Sequence, residues 1–176
     1  AILTLFPQSC TIIFEGAQGV LLDENYGFAP YTTWSTTTFA NADTLVQEHS
    51  YPGEIIRLGL LRAYSTRHGA GPFPTESDQL TASITDQNNP TNRWQGAFRV
   101  GWLDLPLTRY AIATTERVDG LVVSCLDHLK WMEKPRIATD YRLNGLSYTL
   151  TANPKIDLAT SERFGNDLKT VCPVYT

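Results

Sequence analysis

The chain has 176 residues, 42% of them hydrophobic and 18% charged, with a formal net charge of −4. That balance suits a folded domain rather than a disordered segment, and one domain is expected at this length. The acidic balance argues against general nucleic-acid binding, which leans on Lys and Arg, and no apolar run is long enough to span a membrane.

Three cysteines, Cys10, Cys125 and Cys172, are too few and too dispersed for a disulfide framework. Reduced thiols and a cytoplasmic location are expected. The opening AILTLFPQSCTIIF is apolar but lacks a basic start and a cleavage site, so it does not read as a signal peptide. It reads as a chain entering a strand partway through a larger fold.

In chain order, Thr11–Phe14 predicts a buried strand, followed by a turn in which Gly16 and Gly19 bracket Gln18. Glycine permits backbone angles that other residues resist. The stretch LLDENYGFAPYTTWSTTT, rich in hydroxyls with Gly and Pro, predicts a long ordered loop. The apolar segment from Ile55 to Tyr64 suggests a helix followed by a strand, and RHGAGPFP breaks regular structure. SDQLTASITDQNNPTNRWQG reads as a mobile surface loop of the kind that often carries function.

Leu103, Leu107, Tyr110 and Ala111 fall at helical spacing, with Asp104 as cap and Pro106 tolerable in the first turn. DGLVVSCLD predicts a short buried strand ending in an acid. RIATDYRLNGLSYTL is a hairpin around Asn144-Gly145. Thr151 to Thr176 reads as loop with one helical turn. The fold class is α/β, a mixed sheet with flanking helices.

Several residues carry chemistry, each with a plainer alternative. Gln18 can donate and accept, as reading an amide-like purine edge requires, or can be a solvated corner. The hydroxyl run Thr32, Thr33, Ser35, Thr36, Thr37 and Thr38 suits phosphate oxygens, or caps its own backbone. Arg67, beside a Gly turn and a Pro-Phe-Pro wall, shapes a pocket or a stiff turn. Arg99 can clamp a carboxylate or lie on the surface. Asp127 can accept from guanine N1–H and the 2-amino group, or cap a helix. His49, His68 and His128 stand unaccompanied, and no spaced His/Cys/Asp cluster predicts a protein-built metal site. No phosphate-binding P-loop is present.

Taken together, four ordered stretches resemble the adenylosuccinate synthetase family: FEGAQGVLLDENYGFAPYTTWSTTT, LRAYSTRHGAGPFPTE, RVGWLDLPLTRYA and VSCLDHL, with VCPVY near the end. The resemblance implies a P-loop-NTPase-related fold, of which residues 1–176 would be a single partial domain, the central segment of a larger ligase. It implies a reaction joining L-aspartate to a 6-oxopurine nucleotide, IMP to adenylosuccinate, with Mg²⁺ and hydrolysis of a nucleoside triphosphate, GTP or ATP. A homodimer is implied as well.

By the same resemblance Gln18, Leu22, Thr33 and Arg67 would bind the purine nucleotide, Arg99 the aspartate, and Asp127 and Cys125 the triphosphate's base. The catalytic Asp and His and the phosphate loop would lie upstream. Two departures stand out. Arg93 and Arg99 are the only arginines where the family has several, and Cys125 replaces a lysine. Both resemble a divergent phage and archaeal-like branch, some members of which use dGMP, with ATP or dATP, to start diaminopurine synthesis. An inactive nucleotide-binding or structural fragment is the non-enzymatic alternative.

Overall fold

Side-chain caps set the start of three helices. The computed structural model describes residues 11–84, 86, 89–132, 134–152 and 156–176. Its elements run α1 (Ala40–Glu48), β1 (Leu58–Arg62), β2 (Ser65–His68), α2 (Asp78–Ser83), β3 (Phe98–Gly101), β4 (Leu103–Asp104), α3 (Leu105–Thr114), β5 (Gly120–Ser124), β6 (Ile137–Leu143), β7 (Leu146–Tyr148), α4 (Leu158–Asp167) and β8 (Cys172–Tyr175). Ser77 accepts from the Leu80 N–H at 3.4 Å, Asp104 from Leu107 at 3.0 Å and Asp157 from Thr160 at 2.7 Å. Each bond satisfies a donor that a helix's first turn leaves orphaned. Pro106 sits in the first turn of α3, where its missing N–H is not needed.

The strands form three small sheets. β1 and β5 run parallel, and β2 and β3 pair antiparallel. β6 is central to the third, pairing with β4 in parallel and with β7 and β8 antiparallel. Asn144 and Gly145, at φ 52° and 82°, make the tight β6–β7 turn.

Two apolar clusters hold these pieces. Phe28, Tyr110, Tyr141, Phe164 and Leu168 pack α3 and α4 over β6 and bury the end of the early loop. Tyr64, Leu80, Ile84 and Val100 pack α2 against β3 and the end of β1. The buried phenols are satisfied: Tyr110 donates to the Tyr26 carbonyl at 2.7 Å and Tyr141 to the Asp104 carboxylate. Burial raises Asp104 above the usual carboxylate value and pushes Tyr110 up to about 12. Ser161 on α4 donates to the Gly27 carbonyl at 2.8 Å and accepts from the Ala29 N–H at 2.7 Å. No described helix is long and apolar enough to cross a membrane.

The mixed α/β class, α3 with its Asp104 cap, and the Asn144-Gly145 hairpin match the sequence expectations. Other expectations are corrected. Residues 11–14 form no strand, because they pair with no described segment, and Ile13 is 85% exposed. The apolar segment from Ile55 yields β1 without a preceding helix, and Arg67 and His68 belong to β2 rather than to a structureless break. The polar loop after Glu76 begins as α2. β5 is a strand but is largely exposed. The last segment, expected as loop with one helical turn, contains the ten-residue α4 and β8, and α1 carried no expectation.

Candidate functional site

The loop that carries Gln18 is organised by the acid that ends its apolar run. Asp23 has no solvent exposure. Its carboxylate accepts from the Asn25 N–H at 2.8 Å and from the Thr37 N–H at 2.6 Å. Thr37 Oγ1 donates to the Gly19 carbonyl at 3.2 Å, which closes the far side of the loop. The 3-10 turn Val20–Leu22 lies between. Gly19 has ordinary extended backbone, φ −79° and ψ 149°, so the bracketing glycines are not required by backbone angle. Gln18 is exposed at the loop's edge.

Leu22 and Thr33 are joined directly, the Thr33 N–H donating to the Leu22 carbonyl at 2.7 Å. The Thr33 hydroxyl accepts from Ser35 at 3.4 Å. Thr37 spends its hydroxyl on the loop itself, as the self-capping alternative foresaw. Tyr31 links this loop to Arg67. Its carbonyl accepts from Arg67 at 3.4 Å, and its ring lies 6.0 Å from the Arg67 guanidinium and 5.3 Å from Lys169 Nζ.

Arg67 and Arg99 are opposite partners in the β2–β3 ladder, so both project from one face. Arg99 donates from Nε and one terminal nitrogen to the Gly69 carbonyl, at 3.0 and 2.7 Å, and to the Gly71 carbonyl at 2.9 Å. Its other terminal nitrogen pairs with Glu76 at 2.6 Å. Arg67 Nε donates to the Ala70 carbonyl at 2.9 Å. Burial, and then the neighbouring Arg99, hold Arg67 below the usual arginine value. It remains a cation at neutral pH. Gly69 and Gly71 have φ of 78° and 118°, and a Cβ at Gly71 would run into the Arg67 guanidinium. Here glycine is required.

A second turn packs on this one. Asn92 Oδ1 accepts from the N–H groups of Trp94 and Gln95 at 2.9 and 2.8 Å. Arg93 stacks over the exposed Trp94 ring, 4.3 Å from its centre. The Gly69 N–H donates to Ala97 at 2.9 Å, fixing one turn to the other.

Cys125 and Asp127 lie elsewhere, at the carboxyl end of β5. Cys125 has φ 59°, a left-handed conformation that is uncommon outside glycine. It opens the 3-10 turn Leu126–Trp131, and no side chain caps that turn. Asp127 is therefore not a cap. Its side chain is 73% exposed, 3.7 Å from His128. His128 in turn lies 5.6 Å from the Tyr64 ring, between ring centres.

The sequence-predicted residues thus fall in two neighbourhoods: Gln18, Leu22, Thr33, Arg67 and Arg99 in one, Cys125 and Asp127 in the other. Among the described residues no hydrogen bond or ion pair joins the two. No three His, Cys, Asp or Glu side chains gather among the described residues. Sequence reasoning missed Asp23, Tyr31 and Ser161, whose roles lie in fixing the loop. Asp23 had one signal, an acid between Leu22 and a Gly/Asn-rich turn, which is where side-chain-capped turns begin.

These features define a mixed α/β protein whose polar groups collect on loops at strand ends. The fold matches the solved, fully ligated adenylosuccinate synthetase from Plasmodium falciparum with a TM-score of 0.73 and 25% identity, over 92% of this chain and 37% of that one. The family model described as Adenylosuccinate synthetase matches residues 2–170. An adenylosuccinate synthetase from Thermoplasma volcanium is 38% identical over 143 residues, covering 80% of this chain and 32% of the relative. Another, from Thermoplasma acidophilum, is 32% identical over 182 residues, covering 99% of this chain and 38% of the relative. The chain belongs to the adenylosuccinate synthetase family. It spans about a third of the length of the curated relatives it matches.

Proposed function

We propose that this chain is the central part of a ligase joining L-aspartate to a 6-oxopurine nucleotide, converting IMP to adenylosuccinate as a nucleoside triphosphate is cleaved. The observation that supports this reading is that Gln18, Leu22 and Thr33 lie on one loop held by Asp23, and that Arg67 reaches that loop at the Tyr31 carbonyl. Gln18, exposed at its rim, offers an amide to the purine's oxygen-bearing edge. Leu22 lines the base, and Thr33 supplies a hydroxyl to the 5′-phosphate. Arg99 belongs to the aspartate side, and with its donors committed to carbonyls and Glu76 it acts there by holding the Gly69–Gly71 turn.

Asp127 reads the triphosphate's base. It stands at the carboxyl end of a parallel strand, where open α/β sheets bind ligands, and its exposed carboxylate suits the paired donors of guanine. Cys125 flanks it, and GTP is the expected donor. Magnesium would be held by the nucleotide and by residues outside this set. A homodimer in the cytoplasm completes the reading.

The test uses the full-length protein. Incubated with IMP, aspartate, GTP and Mg²⁺, it should form adenylosuccinate and release phosphate. Replacing IMP by dGMP and GTP by ATP or dATP reads the phage-type alternative, and a faster rate with dGMP would overturn the choice of IMP. No product with any of these combinations would sink the ligase reading.

A further inference from the structure

The three consecutive carbonyls of the Gly69–Ala70–Gly71 turn all accept from guanidinium groups: Gly69 and Gly71 from Arg99, Ala70 from Arg67. In a trans peptide the carbonyl of one residue and the N–H of the next point in opposite directions. The one cis bond among the described residues is Ala29–Pro30, so both peptides of this turn are trans. With the Gly69 carbonyl aimed at Arg99, the Ala70 N–H points away from it. With the Ala70 carbonyl aimed at Arg67, the Gly71 N–H points away likewise. Neither N–H has an acceptor among the described residues, whereas the Gly69 N–H is paired with Ala97. Ala70 is exposed.

The charge around the turn is unbalanced. Two guanidiniums face one carboxylate, Glu76, and Glu76 pairs with Arg99. Among the described residues no acid forms an ion pair with Arg67. A cation bound to a peptide carbonyl polarises that peptide and strengthens its N–H as a donor. Successive backbone N–H groups of this kind hold anionic oxygens.

We propose that the Gly69–Gly71 turn is an oxyanion seat: the N–H groups of Ala70 and Gly71 bind a phosphate or carboxylate oxygen of a ligand, and Arg67 and Arg99 are positioning residues that aim and polarise them from behind. The seat rests on the ligase reading only for which substrate supplies the oxygen. The 5′-phosphate of the nucleotide and a carboxylate of aspartate are the two sources.

The full-length protein, labelled with ¹⁵N at alanine and glycine, decides it. Titration with inorganic phosphate, IMP, L-aspartate and uncharged inosine should move the Ala70 and Gly71 amide signals saturably with at least one anion and not with inosine. IMP against aspartate identifies the source. Arg99→Lys keeps the charge but cannot bridge two carbonyls and an acid. It should raise KM for that same substrate roughly tenfold, more than it lowers kcat, as expected for loss of about one charge-assisted hydrogen bond. Amides unmoved by every anion, or moved equally by inosine, would overturn the seat, as would unchanged KM values in a folded Arg99→Lys protein. If that variant does not fold, the wild-type titration still decides. Ligase turnover with unmoved amides refutes the seat alone, and moved amides without turnover refute the ligase reading alone.

Discussion

Asp23 shows how one buried carboxylate can order a loop. The backbone N–H groups of Asn25 and Thr37 converge on it. Asp23→Ala would orphan those donors and should lower unfolding free energy by about 3 kcal/mol, measured by urea denaturation. Asp23→Asn should rescue only part of this, because its amide would present a donor to the Thr37 or Asn25 N–H. Gln18→Ala belongs to the opposite class. Gln18 is exposed, so stability should change by less than about 0.5 kcal/mol, while turnover in the full-length protein falls. Unchanged turnover would remove Gln18 from the site. Tyr110 gives a pH prediction. Its folded value lies above the unfolded 10.0, at about 12. The stability of its neutral phenol is fully present below 10.0 and is lost as pH rises toward 12. Tyr110→Phe should therefore flatten the alkaline fall in stability over that window, although it loses the bond to Tyr26.

At the scale of elements, sequence legibility followed the range of the cause. α3 was legible because its cap, its proline and its apolar spacing lie within a few residues. The β6–β7 hairpin was legible from two turn residues. α4 was not, because its buried positions are Ser161, Phe164 and Gly165, followed by Leu168. Their spacing is helical, but two of the four are small and carry no apolar signal. The strand expected at 11–14 failed for a related reason: an apolar run says nothing about whether a partner lies beside it. For the candidate site, the glycine bracket and the hydroxyl run singled out Gln18 and Thr33 with plainer alternatives, and the resemblance then named the ligand groups they would meet. The engagement of Arg99 could not be read, because its partners are mostly backbone carbonyls, which every residue has. Ser161→Ala tests the attachment of α4. It removes a donor to Gly27 and an acceptor for Ala29, both within the packed loop. It should destabilise the chain by about 2 kcal/mol and speed amide exchange at Ala29.

Across the whole molecule, the β1–β5 pair stands out for what it leaves uncovered. Leu58, Leu60, Leu121, Val122 and Val123 are all exposed, Leu60 at 76%. Neighbouring residues on a strand face opposite sides, so both faces of this parallel pair are open. Parallel sheets are normally covered on both faces, and two strands alone are marginal. The 176-residue chain by itself should therefore bind an apolar dye and self-associate, and Leu60→Lys should reduce both. A monodisperse chain that ignores the dye would contradict this. The Ser161 bonds reach even further along the chain, spanning 134 and 132 positions. A ribosome delivering about 5–20 residues per second needs on the order of ten seconds to cover that stretch. Until the later helix emerges, the segment around Gly27 has no latch. A growing polypeptide thus cannot fasten this loop before Ser161 has emerged, and one cut short before that serine would be born with the latch missing.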